Sequence, residues 1–200
     1  MTYPNAAAGL KTVYQSQIVG LIATVLLFIP LINILAAAAL LVVFVLYMVG
    51  LNQCAKQDDG YRTAFTLVII NLVVNLLGNF IPGAISTILS LVGDVLTLAA
   101  LYFVCITTNR LLENLRAPQN TIDRGVVVWK INVICTIVAV VCTLLSMIPV
   151  VSLQLLASIV TLIATIAQLV GCILYMLFLR DAYRIMESVI PPEEQVQQMM

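Results

Sequence analysis

The sequence predicts an all-α fold, a polytopic membrane helical bundle of six transmembrane helices arranged as three antiparallel hairpins. Three features carry the prediction. Of the 200 residues, 62% are hydrophobic and 9% charged, with a mean hydropathy of +1.13, more apolar surface than a soluble domain of this length can hide. The charges are segregated into short segments between apolar runs of the length a bilayer crossing takes, about 20 residues. Finally, each long apolar stretch carries Ile-Pro at its middle (29–30, 81–82, 148–149) and Leu-Tyr near its end (46–47, 101–102, 174–175), as a hairpin unit used three times would. The chain reads as a single membrane domain, 1–200, with hairpins over about 12–50, 63–105 and 126–178 and a cytoplasmic helical tail over 179–200.

In the first hairpin, Lys11 precedes an apolar run that passes through Ala36-Ala37-Ala38-Ala39. A secretory signal cleaved there is excluded, because the run resumes at Leu40 and reaches Gly50, and cleavage would leave a long apolar stub. Two helices hinged at Pro30 to Asn33 account for it better, with the alanines offering a small-residue packing face. Lys56, Asp58, Asp59 and Gly60 then mark a solvent loop. The second hairpin turns at Ile81-Pro82-Gly83. Beyond Cys105 its last helix is expected to continue as an amphipathic extension, Thr107 to Arg116, ending before Pro118. The third hairpin covers Val126 to Met147 and Ser152 to about Phe178. Its helix runs on to about Ile190, where Pro191-Pro192 stops it, and Glu193 to Met200 has the composition of a disordered tail.

Polar residues inside the apolar runs are spaced at helical periods. Asn71, Asn75 and Asn79 stand four apart, so each step drifts only about 40° and the three form one stripe. Ser86, Ser90 and Asp94 repeat the spacing on the returning helix, with Thr97 continuing the line and Gly93 beside it. Counting outward from Pro82 pairs Asn79 with Ser86, Asn75 with Ser90 and Asn71 with Asp94, a polar seam with its acid near mid-membrane. In the third hairpin Asn132, Thr136, Thr143 and Ser146 line one helix. Gln154, Ser158, Thr161, Thr165, Gln168 and Cys172 form a heptad-like stripe on the other. Groups of this kind have no water to bond in hydrocarbon and are expected to face other helices or a wet cavity.

Orientation follows from charge. The nine Lys and Arg residues fall at the termini, in the segments joining one hairpin to the next, or just inside a helix end, and none falls at the proline turns. The positive-inside rule therefore puts both termini and both long loops in the cytoplasm. Tyr14, Tyr47, Tyr61, Tyr102, Trp129 and Tyr175 gather near the same boundary and read as an aromatic belt.

Asn5-Ala6-Ala7-Ala8-Gly9-Leu10-Lys11, an apolar hairpin with a central Ile-Pro, and then Asp58-Asp59-Gly60-Tyr61-Arg62-Thr63-Ala64-Phe65 resemble uncharacterised small multi-pass membrane proteins of Firmicutes-type bacteria. The resemblance covers mainly the first 75 residues. It implies a bacterial cytoplasmic membrane and no particular activity. Three hairpin repeats also invite comparison with mitochondrial carriers, but the proline, acid and basic signature of that family is missing from every repeat.

Composition excludes several chemistries. Nine basic residues balance nine acidic ones, so no net charge points to nucleic acid or an anionic substrate. The absence of histidine removes the commonest zinc ligand and general base. The five cysteines form no Cys-x-x-Cys arrangement, so neither a disulfide nor a metal framework is expected. Gly93-Asp94 matches half of the Gly-x-Gly-Asp string of intramembrane aspartyl proteases, but Leu91 breaks it and a dyad needs a second carboxylate. No catalytic residue, metal site or cofactor is expected. The expected partners are the lipid bilayer and a membrane protein or a second copy of the chain. The function read from the sequence is a non-enzymatic structural or partner-binding bundle. Its alternative is a small proton- or cation-coupled carrier or channel using Asp94, because an intramembrane ionisable residue is by default a functional hypothesis.

Overall fold

The computed structural model describes residues 2–26, 29, 33–81, 83–146 and 151–191, with the side chains of 33, 36, 84, 146, 151–154 and 157 set aside. The turn prolines Pro30, Pro82 and Pro149, the tail beyond Pro191 and the side chain of Gln154 thus lie outside what is described. The described residues form six helices: α1 Pro4–Leu26, α2 Asn33–Ala55, α3 Asp59–Phe80, α4 Ala84–Asn114, α5 Gln119–Ser146 and α6 Val151–Ser188.

Several helices start earlier or end later than their apolar runs, because capping chemistry rather than hydropathy sets their ends. At α1, Pro4 occupies the first position, where a missing N–H costs nothing. Asp58 caps α3, its carboxylate accepting the Gly60 N–H at 2.8 Å. The extension beyond Cys105 is continuous with α4, as expected, and closes with Ala117 N–H on Leu112 O and Arg116 N–H on Glu113 O, both at 3.0 Å. This is the Schellman pattern with Arg116 in the left-handed region at φ 54°, and Pro118 follows to prevent continuation. The tail up to Ser188 is likewise the end of α6 and not a separate element.

Five helices carry a described stretch long and apolar enough to cross a membrane: Ala37–Ala55, Asp59–Phe80, Ile85–Asn114, Gln119–Leu145 and Ser158–Ser188. This is a membrane protein. The described part of α1 falls short of that apolarity, since Asn5, Lys11, Thr12, Gln15, Ser16 and Gln17 occupy its first four turns.

The most extensive contacts join α1 with α2, α3 with α4, and α5 with α6; α2 also meets α3, α4 meets α5, and α6 returns to α1, closing a ring. The ring is tight at one end only. Leu10, Leu51, Tyr61, Val104, Leu112, Val128, Phe178, Leu179 and Met186 are fully buried there. The same end bears the loops and the basic residues and is called the charged end below. It is pinned between elements by Lys11 with Glu187 at 3.0 Å, by Arg110 with Asp58 at 2.6 Å and by Arg124 with Asp181. Toward the proline turns the helices mostly present exposed Val, Leu and Ile, as on α2 at Leu41, Val42 and Val45. That surface suits lipid, where apolar side chains gain nothing by meeting each other.

The α1 and α2 backbones touch. A methyl group on Gly9 would lie 2.5 Å from the Gly50 carbonyl oxygen, and one on Gly50 would lie 2.8 Å from that of Gly9. Neither neighbour is a side chain that can swing away. Gly50→Val is therefore expected to push α1 off α2 and lower stability by about 1 to 3 kcal/mol, the usual cost of overpacking. A thermal melt of the detergent-solubilised protein measures it, and an unchanged melting temperature would contradict the contact.

Candidate functional site

The chemistry gathers in a cavity of about 380 Å³ on the axis of the ring, to which every helix contributes: Gln17 from α1, Tyr47 from α2, Asn71 from α3, Thr97 from α4, Asn132 from α5 and Gln168 from α6. A second space of about 130 Å³ continues it along α4 and α5, sharing Thr97, Leu101, Asn132 and Gln168 and adding Asp94 and Thr136. On the other side a groove against α1 and α2 reaches the same Gln17, Gln168 and Cys172. Val68, Ala100 and Tyr175 form the part of the wall nearest the charged end. One layer further along, Tyr61 and Thr108 share a buried hydrogen bond of 2.8 Å, and Val104 is fully buried.

A hydrogen-bonded knot fixes one wall. The Asn75 amide donates to the side-chain oxygen and the carbonyl of Asn71 at 2.8 and 2.9 Å, the Asn71 amide donates to Thr97 Oγ1 at 2.9 Å, and the Thr97 hydroxyl donates to the Gly93 carbonyl at 3.0 Å. Gly93 packs against these amides: a methyl group there would stand 2.9 Å from Asn71 Oδ1 and displace the side chain from its place in the knot. The expected pairing of Asn71 with Asp94 is thereby corrected: the seam is shifted about one turn, and Asp94 is turned away from Asn71, exposed, into the second space. It makes no hydrogen bond or ion pair with any described residue. Asn79 and Ser90 are exposed and Ser86 half-buried toward the proline end, where no hydrogen bond ties them across to the opposite helix among the described residues.

The α6 stripe divides. Gln168 and Cys172 line the cavity, and Thr165 lines the neighbouring groove while its hydroxyl returns to the Thr161 carbonyl at 2.9 Å. Ser158 and Thr161 are exposed. The aromatic belt also needs correction. Tyr61 and Tyr175 are buried inside the ring and Tyr47 faces the cavity. Tyr102 and Trp129 pack edge to face on α4 and α5 at 5.3 Å, and Tyr14 packs on Tyr183 at 5.6 Å. The buried Tyr175 hydroxyl makes no hydrogen bond of good geometry with a described residue, although that of Tyr47 is close enough to interact with it.

Gln17 was not among the expected site residues. The polar run Gln15-Ser16-Gln17 inside α1 was the available signal, obscured because the run lies near the helix start, where polar residues need no explanation. Among the described residues no group of three or more His, Cys, Asp or Glu side chains is placed to hold a metal ion. The cysteines are free, four of them buried.

The fold and cavity define a helical membrane protein whose mostly apolar axial cavity receives a polar side chain from each helix. Comparison with protein-family models, curated proteins and solved structures finds no match to this chain.

The corrected register is testable where α3 and α4 approach, since a Cβ placed on Gly78 would lie 3.6 Å from that of Leu89, within the span of a disulfide, about 3.5 to 4.5 Å. In a background lacking the native cysteines, Gly78→Cys with Leu89→Cys should cross-link on mild oxidation and Asn75→Cys with Ser90→Cys should not. The reverse result would restore the register counted from Pro82.

Proposed function

We propose that this protein is a small carrier or channel of a bacterial cytoplasmic membrane, with the axial cavity as its solute path and Asp94 as the group that couples solute to proton or cation movement. The observation that carries the reading is the convergence of a polar side chain from every one of the six helices on one cavity. Packing alone gives amides no reason to meet there, since those that only join helices bond each other. Gln17 and Gln168 have no hydrogen bond to a described residue and Asp94 faces the adjoining space. A lone carboxyl suits ion coupling and not dyad catalysis.

The membrane arrangement belongs to the same proposal: six spans as three antiparallel hairpins, α1 included, with both termini inside. Its support is the placement of Lys11, Lys56, Arg62, Arg110, Arg116, Arg124, Lys130, Arg180 and Arg184 at the charged end. The tight end then faces the cytoplasm and the cavity lies on its outer side. The resemblance of the first 75 residues to small bacterial membrane proteins supports the choice of membrane. Single cysteines placed between Lys56 and Arg62 should resist impermeant thiol reagents in intact cells and react after lysis. Labelling from outside would reverse the orientation.

A second reading, a structural bundle that binds a membrane protein or another copy of itself, is favoured by the knot of Asn71, Asn75, Thr97 and Gly93, which fastens α3 to α4 with polar bonds inside the protein. Flux into proteoliposomes separates the two. With a panel of small solutes, with and without a pH gradient, the carrier reading expects uptake whose pH-dependent part disappears in Asp94→Asn. Melting temperature should stay close to the parent, since Asp94 bonds no described residue. Silence across the panel from a folded protein would favour the structural reading.

A further inference from the structure

The chemistry of the lining narrows the solute. No Lys, Arg or His side chain reaches either space, so an anion would have only neutral donors, and no opposite charge, to offset its desolvation there. Oxygen atoms are supplied by Asn71, Thr97, Asn132 and Gln168, but they come from separate helices, and a bare divalent ion needs six or more oxygens at close range. What the cavity offers in addition is aromatic: Phe44, Tyr47 and Tyr175 line the part toward the charged end. Asp94 lines the other. Aromatic ring faces and a single carboxylate are the two groups that attract a weakly hydrated organic cation, the rings within about 6 Å of their centroids.

The dimensions agree. Ala100 marks the aromatic part and stands six residues beyond Asp94 on α4, which is about 9 Å along the helix axis. A cationic head group at a level between the two is about 4.5 Å from each along the helix axis. The cavity, about 380 Å³ with about 130 Å³ adjoining, is at the small end of ligand sites, about 300 to 1,000 Å³. The geometry points to a small organic ammonium ion as the solute, its charge held by Asp94 and its alkyl surface by Phe44, Tyr47 and Tyr175. The inference rests on the carrier reading and specifies its substrate class. The neutral amides of Gln17 and Gln168 then serve a hydroxyl or similar polar substituent on the same molecule.

The probe is radiolabelled choline, compared with its uncharged carbon isostere, in which a tert-butyl group replaces the trimethylammonium. Both are measured by equilibrium dialysis against the purified protein in detergent at neutral pH. The two compounds have one shape, so a difference reports charge. Choline is expected to bind at least about tenfold tighter than the isostere, a modest demand on a carboxylate a few ångströms from the cation, and Asp94→Asn is expected to reduce that preference to the roughly threefold that the rings alone supply. Equal binding of both to the parent would overturn the ammonium inference and leave a cavity for neutral solutes. Binding of neither, with flux absent for every solute tried, would overturn the carrier reading as well. The parent comparison needs no variant to fold. Tyr47→Phe, which keeps the ring, should leave choline affinity within about twofold, whereas Tyr47→Leu should weaken it by about the worth of one cation–π contact, roughly threefold or more.

Discussion

The constraint on which this structure depends is that a polar group in hydrocarbon must find its partner within the protein. Hydroxyls solve this locally. Thr24, Thr66, Thr143 and Thr165 each donate to the carbonyl four residues back, at 2.9 to 3.0 Å, and can therefore face lipid or a groove without cost. An amide has two donors and two lone pairs and cannot be satisfied by one backbone carbonyl. Amides and the lone acid thus have to go inward, and Asn71, Asn132, Gln17, Gln168 and Asp94 mark the axis of the ring.

That difference explains what could be read in the sequence. The helices, their pairing and the charged end follow from hydropathy, Ile-Pro repeats and the positions of Lys and Arg, and all but the proline turns themselves lie within the described residues. The Asn71 to Asn79 stripe was recognisable as inward at its deeper half. The α6 stripe was only half right, because the expectation treated Thr161 and Ser158 as equal to Gln168, whereas spacing carries less information for a residue that can bond its own helix. The register of α3 on α4 was not legible at all. It shows in contacts such as those of Gly93 with the Asn71 and Asn75 amides, and a count from the turn has no access to them. Nor could single helices reveal that Tyr47 and Tyr175 meet across the ring, since an interfacial tyrosine and an inward one have the same neighbours in sequence.

The contrast between the two ends has the same origin. Inside a bilayer, apolar side chains are equally content against lipid or protein, so helices associate through small residues and polar contacts. Ala6, Ala7, Gly9, Gly50 and Cys54 supply the first kind between α1 and α2, with the Cys54 thiol 3.7 Å from the Ala6 carbonyl. Near the charged end water returns, and with it the hydrophobic effect. Leu10, Leu112, Phe178 and Met186 are buried together there, and the ion pairs that cross between elements lie on their rim. The half-exposed pair of Lys11 and Glu187 contributes little by itself. Asp58, which is only 18% exposed, joins the α3 cap to Arg110 of α4 with both carboxylate oxygens at 2.6 Å from one guanidinium nitrogen, so its loss would release a helix start and an interhelical contact together.

A ring tight at one end and loose at the other places its cavity asymmetrically, an arrangement that the proposed solute path would use as a state closed at the charged end. The layer of Tyr61, Thr108, Val104 and Phe178 separates the cavity from the charged end. No comparable buried layer of large side chains is present among the described residues toward the proline turns. Between α3 and α4, and between the elements that the ion pairs join, the contacts at the tight end are made by side chains, whereas α1 and α2 meet there through backbone at Gly9 and Gly50. Closing the other end needs only that the exposed faces near Asn79 and Ser90 approach. Those two residues, like Ser86 and Asp94, have no cross-helix hydrogen bond to a described residue, and a closer approach of α3 and α4 at that end would give them one.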